Sequence, residues 1–172
     1  MSMAYAVATL VPMLVSAGAG PDAGQTDPLA VASRLLGRWV ADVDPQAPGV
    51  TGWSTFEREA QGRVILRKNR AEYPATKDRP ASAHDDLMAV YTEQGKVKAD
   101  YFDNEGHVIR YAVTAPTDST LVFLSQEGAP GPRFRLTYTL PSKDTLKLLF
   151  EIAPPGTPEQ FKPYIRASLH RA

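Results

Sequence analysis

From residue 38 onward, apolar and polar side chains alternate in short runs. The runs cover about 38–43, 52–59, 63–72, 85–92, 96–102, 107–114, 119–126, 132–140, 144–152 and 163–171. A period of two is the mark of a strand that buries one face. The spacing therefore predicts about ten strands. Between them stand Ala60-Gln61-Gly62, Glu93-Gln94-Gly95, Asp103-Asn104-Glu105-Gly106 and Pro116-Thr117-Asp118, which carry the residue types of tight hairpin turns. Three longer breaks, at 74–82, 128–132 and 154–158, are rich in Pro. One earlier stretch has a different period: Leu29, Ala32, Leu35 and Leu36 fall on one helical face. Asp27-Pro28 suits the start of that helix, with the carboxylate as cap and Pro at the first position. Gly37 suits its end. No other long helix and no repeat is visible.

Short strands joined in sequence by tight turns describe a meander. A meander of this size leaves two free edges, and closing into an up-and-down antiparallel β-barrel removes them. A two-sheet sandwich is the alternative. The expected fold is thus all-β: a barrel of about ten strands with a short N-terminal helix, occupying 28–172. Barrels of this size can hold one small ligand, and 172 residues suffice for one domain with its own core.

The segment before the domain reads differently. The first 21 residues carry no charged side chain, Ala4–Val15 is apolar, and Ala17-x-Ala19 resembles a signal-peptidase site. This predicts a signal peptide at 1–19, a linker at 20–27, and an exported protein, periplasmic or secreted. The apolar run is too short for a stable membrane span, which takes about 20 residues. It lacks the usual basic start and contains Pro12, so a buried N-terminal helix is the competing reading.

Composition narrows the chemistry. Lys plus Arg and Asp plus Glu are both 19, a formal net charge of zero, which argues against a nucleic-acid partner. There is no Cys, hence no disulfide and no thiolate metal site. No HxH, HExxH, GxSxG or glycine-rich phosphate loop is present, and no metal or cofactor is expected.

The helix running into Leu35-Leu36-Gly37-Arg38-Trp39, with the strands that follow, resembles the calycin superfamily of lipocalins, fatty-acid-binding proteins and bacterial relatives. The resemblance covers about 28–172. It implies that Trp39 plugs one end of the barrel beside Gly37, and that a basic residue of the last strand, here Arg171, packs over it. Ile165, Ala167, Leu169 and Arg171 then face inward, and Tyr164, Arg166, Ser168 and His170 outward. Relatives that bind haem carry a His early in the last strand; this chain has Lys162-Pro163-Tyr164 there, so haem is not expected. The resemblance carries no particular function.

The candidate ligand-binding residues are His84, Tyr101, His107, Tyr111, Arg133 and Arg135. His84 precedes Asp85-Asp86, a carboxylate pairing that orients an imidazole, or is simply a polar turn. His107 shares a face with Ile109, Tyr111 and Val113, and Tyr101 sits on the neighbouring strand. Arg133 and Arg135 share one face and point outward if Phe134, Leu136 and Tyr138 form the core. In the inverse case they make an inward anion clamp. Arg63, Arg67, Lys68 and Arg70 read as a solvated strand edge. Three functions fit: a carrier of a small, mainly apolar ligand; a barrel-type isomerase or cyclase using a His or Tyr; and a structural domain without a ligand.

Overall fold

The computed structural model describes residues 27–126 and 131–172. The expected signal peptide, nearly all of the expected linker and part of the 128–132 loop lie outside them. Among the described residues, ten antiparallel strands follow one short helix, α1 (Ala30–Ser33). They are β1 (Gly37–Ala41), β2 (Thr51–Glu59), β3 (Val64–Tyr73), β4 (Ser82–Glu93), β5 (Lys96–Asp103), β6 (Val108–Thr117), β7 (Thr120–Ser125), β8 (Arg133–Ser142), β9 (Thr145–Ala153) and β10 (Lys162–Arg171). Each pairs with its sequence neighbours, and β1 pairs with β10 to close the barrel.

All ten expected strands are present, and the barrel, not the sandwich, is the architecture. Two local expectations need correction. The Pro116-Thr117-Asp118 turn begins later, because β6 continues to Thr117 across a register shift between Thr114 and Thr117. Pro is tolerated at such an irregularity, where the ladder does not need its missing N–H. The N-terminal helix is a single turn rather than a run up to Gly37. Asp27 Oδ1 accepts from the Leu29 N–H (2.9 Å), and the Ser33 hydroxyl donates to the Leu29 carbonyl (2.8 Å). So short a helix is marginal by itself; burial of Leu29, Ala32 and Leu35 holds it.

That turn caps one end of the barrel. Trp39 is fully buried beneath it and donates from Nε1 to the Leu35 carbonyl (2.8 Å). The Arg171 guanidinium lies 4.2 Å from the Trp39 ring centre and donates from Nη1 to the Leu36 carbonyl (2.6 Å). Gly37 is what lets the guanidinium approach: its φ is +112°, and a Cβ there would lie 2.6 Å from Arg171 Nη1. Beyond the plug, four rings meet edge to face. Phe56 packs on Tyr138 (5.7 Å), Tyr138 on Phe123 (5.8 Å) and Phe123 on Tyr111 (6.1 Å). Such contacts add to the burial of large apolar rings. With Ile65, Val90, Leu121 and Leu146 they fill the closed half. Among the described residues, no helix is long and apolar enough to cross a membrane.

Candidate functional site

The opposite half of the barrel has two unlike walls. The C-terminal end of β3, the start of β4 and the end of β5 meet at this mouth, because antiparallel neighbours run in opposite directions. Alternation along these strands continues the core face into polar residues: Ile65, Arg67 and Asn69 on β3; Val90, Met88, Asp86 and His84 on β4; Ala99, Tyr101 and Asp103 on β5. Across the lumen, β8, β9 and β10 present Phe134, Phe150 and Ile165. Phe134 and Phe150 stack at 5.9 Å with an 8° interplanar angle, and Tyr164 meets the Phe150 edge at 6.3 Å.

Arg67 is the centre of the polar wall. The expectation that it belongs to a solvated edge is wrong: only 4% of it is exposed. Arg70 is on the outer face with Asp85 and Glu72, but Arg67 shares its face with Ile65 and points inward. Its Nη2 donates to Asp86 Oδ2 (3.1 Å), which also accepts from Asn69 Nδ2 (2.8 Å). Asn69 Oδ1 in turn accepts from the Ser54 hydroxyl (2.6 Å). Three buried atoms of this group have no hydrogen-bond partner: Arg67 Nε, Asp86 Oδ1 and the Tyr138 hydroxyl. The Tyr138 ring centre is 6.0 Å from the guanidinium carbon. Buried polar groups normally find partners, and each unmet one carries a desolvation cost.

Above this pair a hydrogen-bonded chain reaches the rim. His84 Nε2 lies 3.0 Å from the Tyr101 hydroxyl and 3.6 Å from Asp86 Oδ2, while Nδ1 lies 3.1 Å from Glu105. The Tyr101 hydroxyl donates to Asp103 Oδ2 (3.2 Å), 2.9 Å from His107 Nδ1. Burial, then the nearby Asp86 and Asp103 carboxylates, pushes the Tyr101 phenol far above its ordinary range. Burial likewise raises Tyr111, and Tyr138 to about 12, against the opposing pull of Arg67. All three tyrosines are therefore neutral hydroxyls at physiological pH, able to donate hydrogen bonds. Among the described residues no group of three or more His, Asp or Glu is arranged to hold a metal ion.

Asp103 is held in the opposite direction. Burial alone would raise its carboxyl, but the His107 and Glu105 backbone N–H groups and the His107 ring hold it below the ordinary 3.8. A carboxyl depressed in the fold contributes stability above its unfolded-state pKa and loses it as pH falls through the lower folded value. Asp103→Asn should therefore cost about 1–2 kcal/mol at neutral pH in urea unfolding. The gap between variant and parent should close as pH drops below 3.8. A gap that persists unchanged into strong acid would show that the carboxylate charge is not what Asp103 contributes.

Of the six residues singled out from sequence, the fold brings together His84, Tyr101 and His107 in one hydrogen-bonded chain and places Tyr111 in the interior beside Arg67. His107 is on the rim, its side chain 59% exposed. Arg133 and Arg135 are elsewhere. They lie on the outer face of β8, and the inward-clamp arrangement is not the one adopted. Arg135 pairs with Glu151 (2.6 Å), its guanidinium 4.3 Å from the Phe161 ring centre, and Arg133 pairs with Glu159. Together they pin the 154–161 loop against the barrel wall. His170 is also outside, 2.7 Å from Asp42. From sequence, Asp86 is read only as a neighbour of His84 and Arg67 as a solvated edge, while Asn69 and Asp103 give no signal of their own. The available signal was a polar residue continuing an apolar strand face, as in Val90-x-Met88-x-Asp86. A groove of about 500 Å³, lined by Gly49, Thr51, Arg70, Glu72 and Pro74 among others, runs along the rim rather than down the lumen. No family model matches this chain, and a comparison with curated proteins finds no match either.

Proposed function

We propose that this protein is an exported carrier that takes a small, mainly apolar ligand into the open half of the barrel. The observation that supports this reading most is the pairing of walls at the mouth. Partly buried aromatic side chains (Phe134, Phe150) and the half-exposed Ile165 face a polar wall whose central groups are unmet. Ligand sites commonly combine such an apolar lining with a few convergent polar groups. Export rests on the uncharged apolar run at 4–15 and the Ala17-x-Ala19 pattern.

The test is native mass spectrometry of the protein purified from its own host. A co-purifying small mass is expected, and Phe150→Asp should lose it by placing a charge on the apolar wall. A bare protein mass in the parent, with no uptake of an added apolar probe, would sink the proposal. A second reading, proton-transfer catalysis, is favoured by the chain from His84 through Tyr101 and Asp103 to His107. In that case the compound released after incubation is an isomer of the one supplied, equal in mass but distinct by chromatography or NMR; a carrier returns the compound unchanged.

A further inference from the structure

The unmet groups around Arg67 specify more than a generic polar contact. Arg67 Nε–H is a donor, Asp86 Oδ1 is an acceptor, and the Tyr138 hydroxyl can be either. Nε and Oδ1 flank the Nη2–Oδ2 contact of a single ion pair, and Tyr138 packs its ring toward the same guanidinium. All three residues are more than nine-tenths buried. A partner that leaves none of these atoms orphaned must both donate and accept.

Charge then decides its class. Among the described residues, Arg67 is the buried cation of the inward faces, and Asp86 already balances it. Asp103 stands directly opposite Asp86 in the β4–β5 register, and Glu105 lies beyond it at the rim, against His84. A carboxylate or phosphate entering here would find no uncompensated positive charge and would turn an oxygen toward Asp86. An ammonium would satisfy Asp86 and be drawn by Asp103 and Glu105, but it offers no acceptor, so Arg67 Nε–H would stay unmet and the two cations would face each other. In a water-poor interior an unbalanced charge of either sign is heavily disfavoured. A neutral group with an N–H or O–H beside a carbonyl meets no such penalty.

We infer that the ligand's polar end is an uncharged donor–acceptor group of the carboxamide kind, with its carbonyl toward Arg67 and Tyr138 and its N–H toward Asp86. This rests on the carrier reading above and narrows it, since the fatty acid and the amine of the same chain length are discriminated against. The arrangement also differs from the anion clamp considered for Arg133 and Arg135, because the cation that reaches the lumen arrives already paired.

Three probes of one chain length separate the possibilities: decanamide, decanoate and decylamine, titrated calorimetrically into the full chain at neutral pH. The amide is expected to bind at least ten-fold more tightly than either charged probe. Asp86→Asn should then reverse the order of amide and carboxylate, because Arg67 loses its counter-charge. Decanoate or decylamine binding the parent as tightly as the amide would overturn the inference and leave the carrier reading standing. Failure of all three to bind would overturn the carrier reading for linear apolar ligands, and this inference with it. The parent measurement is decisive even if Asp86→Asn does not fold.

Discussion

Arg67→Met should be among the most damaging single substitutions in this protein, costing about 3–5 kcal/mol in denaturant unfolding. Methionine fills much of the same volume, so the loss does not come mainly from a cavity. It comes from Asp86, which is 6% exposed and would be left without its guanidinium partner, with only Asn69 and the more distant His84 for company. The informative comparison is with the double variant Arg67→Met, Asp86→Leu. Removing both charges removes the desolvation burden of both, and replacing a buried ion pair by apolar side chains is often neutral or stabilising. The double variant should therefore recover most or all of the lost stability. It should also lose the polar recognition inferred for the lumen, separating the pair's role in binding from its role in folding. If the two substitutions add instead of compensating, the pair is not an electrostatic unit, and the account of the site fails at its centre.

The second large effect concerns the closed end. Trp39→Ala should cost about 3–5 kcal/mol. It empties the largest fully buried side chain, leaves the Leu35 carbonyl without its indole donor, and removes the ring on which Arg171 rests. Gly37→Ala tests the same plug from the backbone. It imposes an unfavourable φ on a residue with a Cβ and drives that Cβ into Arg171 Nη1, so a loss of about 1–3 kcal/mol is expected. Trp53, on the outside under Arg38, remains as a fluorescent reporter in Trp39 variants. An unfolding midpoint unchanged by Trp39→Ala would mean that α1 and its leucines close the barrel without the indole.

The barrel was legible in the sequence because a half-buried strand has a period that few other structures share, and because Gly, Asn, Asp and Pro mark its turns. The plug was legible through the calycin resemblance at Gly37-x-Trp39. The lumen was harder. Arg67 stands in a run with Arg63, Lys68 and Arg70, where charge density suggests solvent; only its phase relative to Ile65 places it inside. Asp86 has the same ambiguity beside Asp85, which the fold sends outward to Arg70. Period-two patterning says which residues share a face, but it cannot say at what height along a tilted strand an apolar interior gives way to a polar one. That height depends on register across several strands, and registers are shared properties of pairs. The arginines of β8 show the converse. Alternation offered both an outward and an inward arrangement, and the outward one is held by Glu151, opposite Arg135 on the next strand, and by Glu159 in the loop beyond it.

The closure of the barrel has one further consequence. Nine of the ten ladders join strands that follow one another along the chain, whereas β1 meets β10 through the short stretch Trp39–Ala41 against Leu169–Arg171, flanked by backbone bonds from Asp42 to Ser168 and from Ala172 to Arg38. The side-chain contacts flanking this seam span 128 positions between Asp42 and His170 and 135 between Leu36 and Arg171. Hairpins can zip locally and early; the seam must wait for the most distant loop closure in the domain. Until it forms, the two outermost strands are open edges of the kind that recruit strands from other molecules. The indole, the guanidinium above it and the glycine that admits them are thus also a latch, and the concentration at which this chain can refold without associating is set by how fast that latch engages.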